Sequence, residues 1–286
     1  MSDCLFKKEI ALSLVKGRSP VTFVHRRTLP REKDFVLHLN RHVELYIYLS
    51  GDVDYIVENE YIPLERGDAV VILPHEVHVP VIRSEKEYER IYMLLHADTF
   101  SALVPNPHTG LSSIRHHKIS LQGKERKDFL DLLLHISDLS DAAETEAGQA
   151  QMLGLFLQAY GLLLGGAGRV EVLDEPRLSS GIPQTVRDVL NYIGENIQEI
   201  GSVEAVARHF YLSSQYLSSL FKKHVGIRIH EYLQIKRIAL AKILLKGEAS
   251  VAEVAFACGF SDSSHFIRIF KRYVGITPKQ YKSKVC

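Results

Sequence analysis

Apolar and polar residues alternate one by one through "VLHLNRHVELYIYLSG" at 36–51. Leu37, Leu39, Val43, Leu45, Ile47 and Leu49 share one parity, interrupted by Arg41. His38, Asn40, His42, Glu44, Tyr46 and Tyr48 share the other. Side chains of a β-strand point to opposite faces in turn, so the stretch predicts a strand with an apolar face and a polar-aromatic face. Residues 20–100 as a whole are rich in Val, Ile and Tyr. Turn signals punctuate them at Ser50-Gly51-Asp52, Asn59-Glu60 and Arg66-Gly67-Asp68. Short strands at such spacing predict a sandwich or barrel.

From Ser120 the apolar period lengthens. Phe129, Leu132, Leu133 and Ile136 recur at helical spacing, and a second helix is expected from about Glu144 to Leu164. Residues 165–183 hold glycines and two prolines with little periodicity, the composition of a linker. Beyond Pro183 helix follows helix. Leu190, Ile193 and Ile197 mark the first, and Ser202 suits the N-cap of the next. "IHEYLQIKRIALAKILLKG" predicts a long amphipathic helix over 229–247, with Gly247 as its C-cap. The expected architecture is α+β and multidomain. A β-barrel with packed helices occupies 1–119, a helical packing or dimerisation segment 120–165, a linker 166–182 and an all-α domain 183–286.

The all-α part repeats itself. Val203, Val206 and Ala207 recur 48 residues on as Val251, Val254 and Ala255. Phe221, Val225 and Gly226 recur 49 residues on as Phe270, Val274 and Gly275. The second copy therefore has one extra residue, expected near the N-terminus of its second helix, with Ser213 and Ser261 as matching caps. Each copy reads as short helix, tight turn, longer helix. Ala207 and Ala255 let two helices cross closely, and Gly259 suits a left-handed turn. This is the helix-turn-helix pattern, in which the second helix enters the major groove of DNA. Two helical hairpins used only for packing would read the same way.

Charge favours the first reading. Residues 183–286 carry 15 Lys and Arg against 8 Asp and Glu, whereas the residues before them carry 20 against 26. A basic back half behind an acidic front half points to an anionic partner. The three cysteines, Cys4, Cys258 and Cys286, are far apart and form neither a metal spacing nor a disulfide framework, so a reducing cytosol is the expected compartment. The N-terminus has no apolar stretch of signal-peptide length. The greasiest stretch, 152–166, is interrupted by Gln158 and is too short for the roughly 20 residues of a membrane span.

In each second helix the apolar positions must face the core: Leu217, Leu220 and Phe221 in one, Phe266, Ile269 and Phe270 in the other. Gln215, Ser218, Ser219 and Lys222 remain outside in the first, and Ser264, His265, Arg268 and Lys271 in the second. The run "SVAEVAFACGFSDSSHFIRIFKRYVGITPKQYK", with its GFSD, FK and TP elements, closely resembles the DNA-binding domain of the AraC/XylS family of bacterial transcription regulators. The resemblance covers about the last 85 residues. The first unit departs at Tyr211, where the family often has Gly. The resemblance implies two units on one face of double-stranded promoter DNA, in successive major-groove segments, with the helix at 229–246 as spacer. It also implies base-facing positions at Gln215, Ser218, Ser219, Ser264, His265 and Arg268, with Arg268 suited to a bidentate guanine contact. Lys222, Lys223, Lys271 and Arg272 would grip phosphates, which set affinity and salt dependence but not sequence. The alternative for each is a solvated side chain on a helix.

The front part resembles the cupin barrel. His38-x-Asn40-x3-Glu44-x6-Gly51 stands for its first motif and Gly67, Pro74 and His78 for its second. Asn40 replaces a usual metal histidine, and the second motif is one residue short between Pro74 and His78. Ahead of an AraC-type domain such a barrel implies an effector-binding and dimerisation module. His38, Asn40, His42, Glu44, Tyr46, Tyr48 and His78 would line the pocket, and tyrosines suit a sugar or polyol. The alternative is that this polar face meets water. No cofactor or metal is expected, although His38, Glu44 and His78 would make a two-histidine, one-carboxylate set. The favoured expectation is a cytosolic homodimeric regulator and not an enzyme, most often an activator, with RNA polymerase as a further partner. A metal-dependent cupin enzyme with a helical tail, and a helical assembly module, are the rivals.

Overall fold

The computed structural model describes residues 4–13, 19–29, 42–58, 60–74, 76–101, 103, 117–167 and 183–285. The front of the chain builds two antiparallel sheets. The larger has the order β1 (Cys4–Leu12), β2 (Val21–Thr28), β8 (Tyr88–Leu95), β3 (Val43–Ser50), β6 (Ala69–Ile72), β9 (Lys118–Ile119). The smaller has the order β5 (Glu60–Ile62), β4 (Val53–Val57), β7 (His78–Ile82). Among the described residues no ladder joins the two sheets, so the expected closed barrel is not formed. The edge strands β9 and β5 are two and three residues long. The other two edges, β1 and β7, are longer but also remain unpaired across the gap, and the sheets face one another as open layers over a shared core.

The alternation read from the sequence sorts β3 onto two cores. Val43, Leu45, Ile47 and Leu49 join Phe23, Ile91 and Met93 in an apolar core. Two helices close it. From α2 (Gly123–Asp138) come Phe129, Leu133 and Ile136, and from α3 (Glu146–Ala167) come Met152, Phe156, Tyr160 and Leu163. A single turn, α1 (Ala97–Phe100), adds Phe100. Tyr46 and Tyr48 turn the other way, onto Val53, Tyr55, Val57 and Ile62 of the small sheet. Both faces of β3 are therefore buried, and the polar-aromatic face does not meet water.

The back of the chain is helical, as its periodicity predicted. After α4 (Gln184–Asn196) come a first helix pair, α5 (Val203–His209) and α6 (Ser214–Val225), and a second, α8 (Val251–Ala257) and α9 (Ser263–Val274). Between them runs α7 (Ile229–Leu244), and α10 (Pro278–Val285) follows the second pair. The 16 residues of α7 span about 24 Å. Ile229, Tyr232, Leu233 and Ile235 pack with the first pair, while Ile238 and Ala241 pack with the second. The helix stops earlier than expected. Leu245 caps it in a right-handed conformation, and Gly247 lies in the turn beyond.

The front and back halves touch through the small sheet. Ile56, Tyr61, Val77, Val79 and Val81 pack into one core with Val186, Leu190, Phe221 and Tyr232. At its edge Glu58, held at φ 54°, accepts the Tyr232 hydroxyl on its backbone carbonyl and the Lys236 ammonium on its carboxylate. The second pair's core, by contrast, contains residues of 238–281 alone.

Candidate nucleic-acid interface and inter-sheet core

The two helix pairs share their construction down to the caps. Ser202 accepts from the Ala205 N–H to start α5, and Ser250 and Glu253 form a reciprocal capping box on α8. Ser213 starts α6 by accepting from the Tyr216 N–H, 3.2 Å away. Its counterpart is Asp262, whose carboxylate accepts from the N–H groups of Ser264 and His265 at 3.1 and 2.8 Å. Ser261 is therefore not the cap, and the extra residue of the second copy sits in the turn, not in the helix. A carboxylate at this end also meets the positive pole of the helix. Helices α6 and α9 both end on a left-handed glycine, Gly226 at φ 86° and Gly275 at φ 82°. Lys222, Lys223, Lys271 and Arg272 fall in the last turns, where positive charge is favourable.

The tight turns differ where the sequence predicted. Gly259 sits at φ 79°, and a Cβ there would stand 3.1 Å from the Gln198 carbonyl oxygen and 3.2 Å from Arg237 Nε. Its equivalent, Tyr211, holds φ 56° with 98% of its surface exposed. The left-handed turn survives a side chain in the first copy because the tyrosine points into open solvent.

Leu217, Phe221, Phe266, Ile269 and Phe270 are buried as expected. Gln215, Ser219, Lys222, Lys223, Ser264, Arg268, Lys271 and Arg272 are exposed. Ser218 is half-buried, as is His265, whose ring lies edge-on to Phe260. Two exposed residues escaped the sequence reading because they are apolar or aromatic: Tyr216, 55% exposed, and Ile267, 39% exposed. The 49-residue offset would have found them, since it pairs Tyr216 with His265 and Ile267 with Ser218. The exposed faces of the two second helices also differ in setting. Ser218, Ser219, Lys222 and Lys223 line a groove of about 1130 Å³ whose opposite wall is Val79–Glu85 of the sheet region, and no α9 residue takes part in it.

Between the sheets the structure gathers part of the predicted effector set. Glu44 and His78, both buried, approach to 3.5 Å. Tyr55 stacks on the His78 ring, and its own ring lies 4.5 Å from that of Tyr46. Burial works against a charged His78, but the hydrogen bond and negative charge of Glu44 outweigh it and raise its pKa above the ordinary value. Tyr46 and Tyr88 share a hydroxyl–hydroxyl bond, and the Tyr48 hydroxyl donates to the Gly51 carbonyl at 2.6 Å. His42 stands elsewhere, at the start of β3 with its ring on His96. His38 and Asn40 lie outside the described residues. Tyr55, Tyr88 and Arg90 were missed. Arg90 covers the Tyr88 ring at 4.3 Å and donates to the Thr28 hydroxyl at 3.1 Å. The alternation of Tyr88, Arg90 and Tyr92 along β8 carries the same polar-aromatic signal as β3. Among the described residues no group of three His, Cys, Asp or Glu is placed to hold a metal ion.

A third polar cluster braces the small sheet. His117 donates to Glu60 at 2.9 Å and to Glu76 at 3.1 Å. Burial opposes its charge, but these two hydrogen bonds prevail and push its pKa up to about 9. Among the described residues no helix is long and apolar enough to cross a membrane.

A helix pair with a capped, basic, solvent-facing second helix defines the helix-turn-helix class, and the family model described as a helix-turn-helix domain matches residues 206–284. This C-terminal domain is of AraC type. It is 42% identical over 105 residues to YijO, an uncharacterized helix-turn-helix-type transcriptional regulator of Escherichia coli, covering 36% of each chain. The arabinose operon regulatory protein of E. coli is 30% identical over 155 residues, which is 52% of this chain and 51% of that one. The transcriptional activator RhaR of Pectobacterium atrosepticum is 25% identical over 256 residues, 87% of each. The chain thus spans about a third of YijO, half of the arabinose regulator and most of RhaR. These relatives are regulators and not enzymes.

Proposed function

We propose that the chain is a sequence-specific transcription regulator, an activator in its simplest form, that grips promoter DNA with two helix-turn-helix units and answers to a small effector bound between its sheets. The observation that carries this reading is the duplicated helix, side-chain capped at its start and ended by a left-handed glycine, with an exposed polar and basic face. In it α6 and α9 lie in successive major-groove segments on one side of the duplex, and α7 spaces them. Arg268 reads a guanine, assisted by Gln215, Ser218, Ser219, Ser264 and His265, and the four basic residues of the last turns hold phosphates.

Effector control is supported by the position of the small sheet. Its inner residues Tyr55, Val57 and Ile62 pack on the tyrosine core, and its outer residues Ile56, Tyr61 and Val79 pack on the DNA-binding half. One strand layer therefore separates Glu44 and His78 from α4 to α7. A ligand that reorganises the inner face shifts the outer one, provided it binds one arrangement better than the other. Stacked tyrosines with a carboxylate and an imidazole suit a sugar or polyol. A homodimer joined through α2 or α3, contact with RNA polymerase and a cytoplasmic location complete the proposal. Its test is binding to duplexes from a random-sequence pool at several salt concentrations. Steep salt dependence with enrichment of one sequence is expected. Absence of salt-sensitive binding to any duplex overturns the regulator. A thermal-shift panel of sugars tests the effector, and no shift with any of them removes that class.

A further inference from the structure

We infer that Ile267 reads the C5-methyl group of a pyrimidine, a thymine or a 5-methylcytosine, in the operator. The inference rests on the proposed docking of α9 in the major groove. Buried Phe266, Ile269 and Phe270 fix one side of this helix against the domain core. The opposite side is polar apart from Ile267, which is 39% exposed between Ser264 and Lys271 and beside Arg268 in sequence. Residues three and four apart share a helix face, so Ser264, Ile267 and Lys271 form one row pointing away from the core. The same position in α6 is Ser218, so the fold of the unit does not demand an aliphatic side chain there.

Base edges in the major groove offer donors and acceptors that an isoleucine cannot use, and one apolar group that it can: the pyrimidine methyl. A branched side chain next to an arginine gives the second unit a two-part reading. Arg268 takes a guanine through hydrogen bonds, and Ile267 takes a neighbouring methyl through van der Waals contact. The first unit, with Ser218 and Ser219 at these two positions, has neither.

Duplexes enriched by the full-length protein from a random-sequence pool provide the probe. Each thymine is replaced singly by deoxyuridine, which deletes only the methyl group. Wild-type protein is expected to bind about four-fold more weakly at one position, the change that follows from uncovering one buried methyl. Ile267→Ala is expected to bind the thymine and deoxyuridine duplexes equally at that position while keeping the salt dependence of the wild type. The inference is overturned if no thymine is sensitive, or if Ile267→Ala keeps the wild-type penalty at every one. If no duplex is enriched at all, the regulator itself fails and this inference falls with it. A loss confined to methyl sensitivity leaves the regulator standing.

Discussion

The two helix pairs have nearly the same skeleton and opposite surroundings. In the first, α6 shares a core with the small sheet, and its Ser218, Ser219, Lys222 and Lys223 border a groove against the Pro80 and Ile82–Glu85 side. In the second, the buried residues of α9 share a core of residues 238–281, and only the half-buried Tyr273 reaches the first pair's core. Their chemistry follows the same division. The docked pair presents Gln215, Ser218 and Ser219, short or neutral side chains, whereas the free pair presents Ile267 and Arg268. A duplicated fold thus allows its copies to diverge in two ways at once. One copy is held against the small sheet, and the other presents an exposed arginine and isoleucine.

Cutting the docked pair loose should have the largest effect. Lys236 is buried against Glu58, so Lys236→Ala leaves that carboxylate without its cation. We expect a loss of about 2–3 kcal/mol in urea unfolding, since removing one partner strands the other charge. Lys282→Ala beside the second pair, where the ammonium donates to the Glu248 and Ala249 carbonyls at the surface, should stay within about 0.5 kcal/mol. Equal losses would erase the difference between the pairs.

Next comes the difference in reading. Arg268→Ala should reduce discrimination at one operator position by about 1–3 kcal/mol and leave stability unchanged. The equivalent Ser219→Ala should change discrimination by much less. Competition binding on single-base variants measures both, and a uniform loss over all sequences would move Arg268 to the phosphate class.

The turns come third. Gly259→Ala places a Cβ at a left-handed position and 3.1 Å from a carbonyl oxygen, and should destabilise by about 1–2 kcal/mol. Tyr211→Gly relieves the same conformation in the other copy, partly offset by the extra freedom of glycine when unfolded. A gain of about 0.5 kcal/mol is expected.

The smallest effect is the pH response of the sheet that holds the first pair. His117 is raised from 6.5 to about 9. Its contribution to stability is complete below about 6.5, the unfolded value, and is lost as pH rises through about 9. Partial exposure of Glu60, 36% by side chain, screens the pair and limits the size. The thermal midpoint should therefore fall over this window, and His117→Asn should flatten the slope. A wild-type midpoint that rises between pH 6.5 and 9 would contradict the bridge.

The helical half was legible because its signals are local. Caps, apolar spacing and the recurrence of Phe, Val and Gly need only a few residues of context. The misplaced cap shows the limit of that signal. Ser261 and Asp262 both suit an N-cap, and their neighbours in sequence do not reveal which one the chain reaches. The β half was legible in its alternation and not in its closure. β5 only closes a local hairpin with β4, but β9 pairs with β6 across a long stretch of chain, Ala69 opposite Ile119, and no local pattern announces that pairing. The same distance hid Tyr88 and Arg90, which belong to the inter-sheet core only because β8 pairs with β3, Tyr48 opposite Arg90.

By itself the sequence determined the order of elements, the duplicated helix pairs, the buried face of each helix and the two faces of β3. These follow from backbone periodicity and from side-chain chemistry within a turn or a strand. Only the tertiary structure decided that the polar face of β3 would be covered, that the sheets would remain separate and that one helix pair would be docked while its twin is free. Such outcomes depend on which remote surfaces meet, as Glu58 meets Tyr232 and Lys236. No local pattern encodes that meeting, because its free energy comes from burial and charge pairing that exist only once the chain has folded.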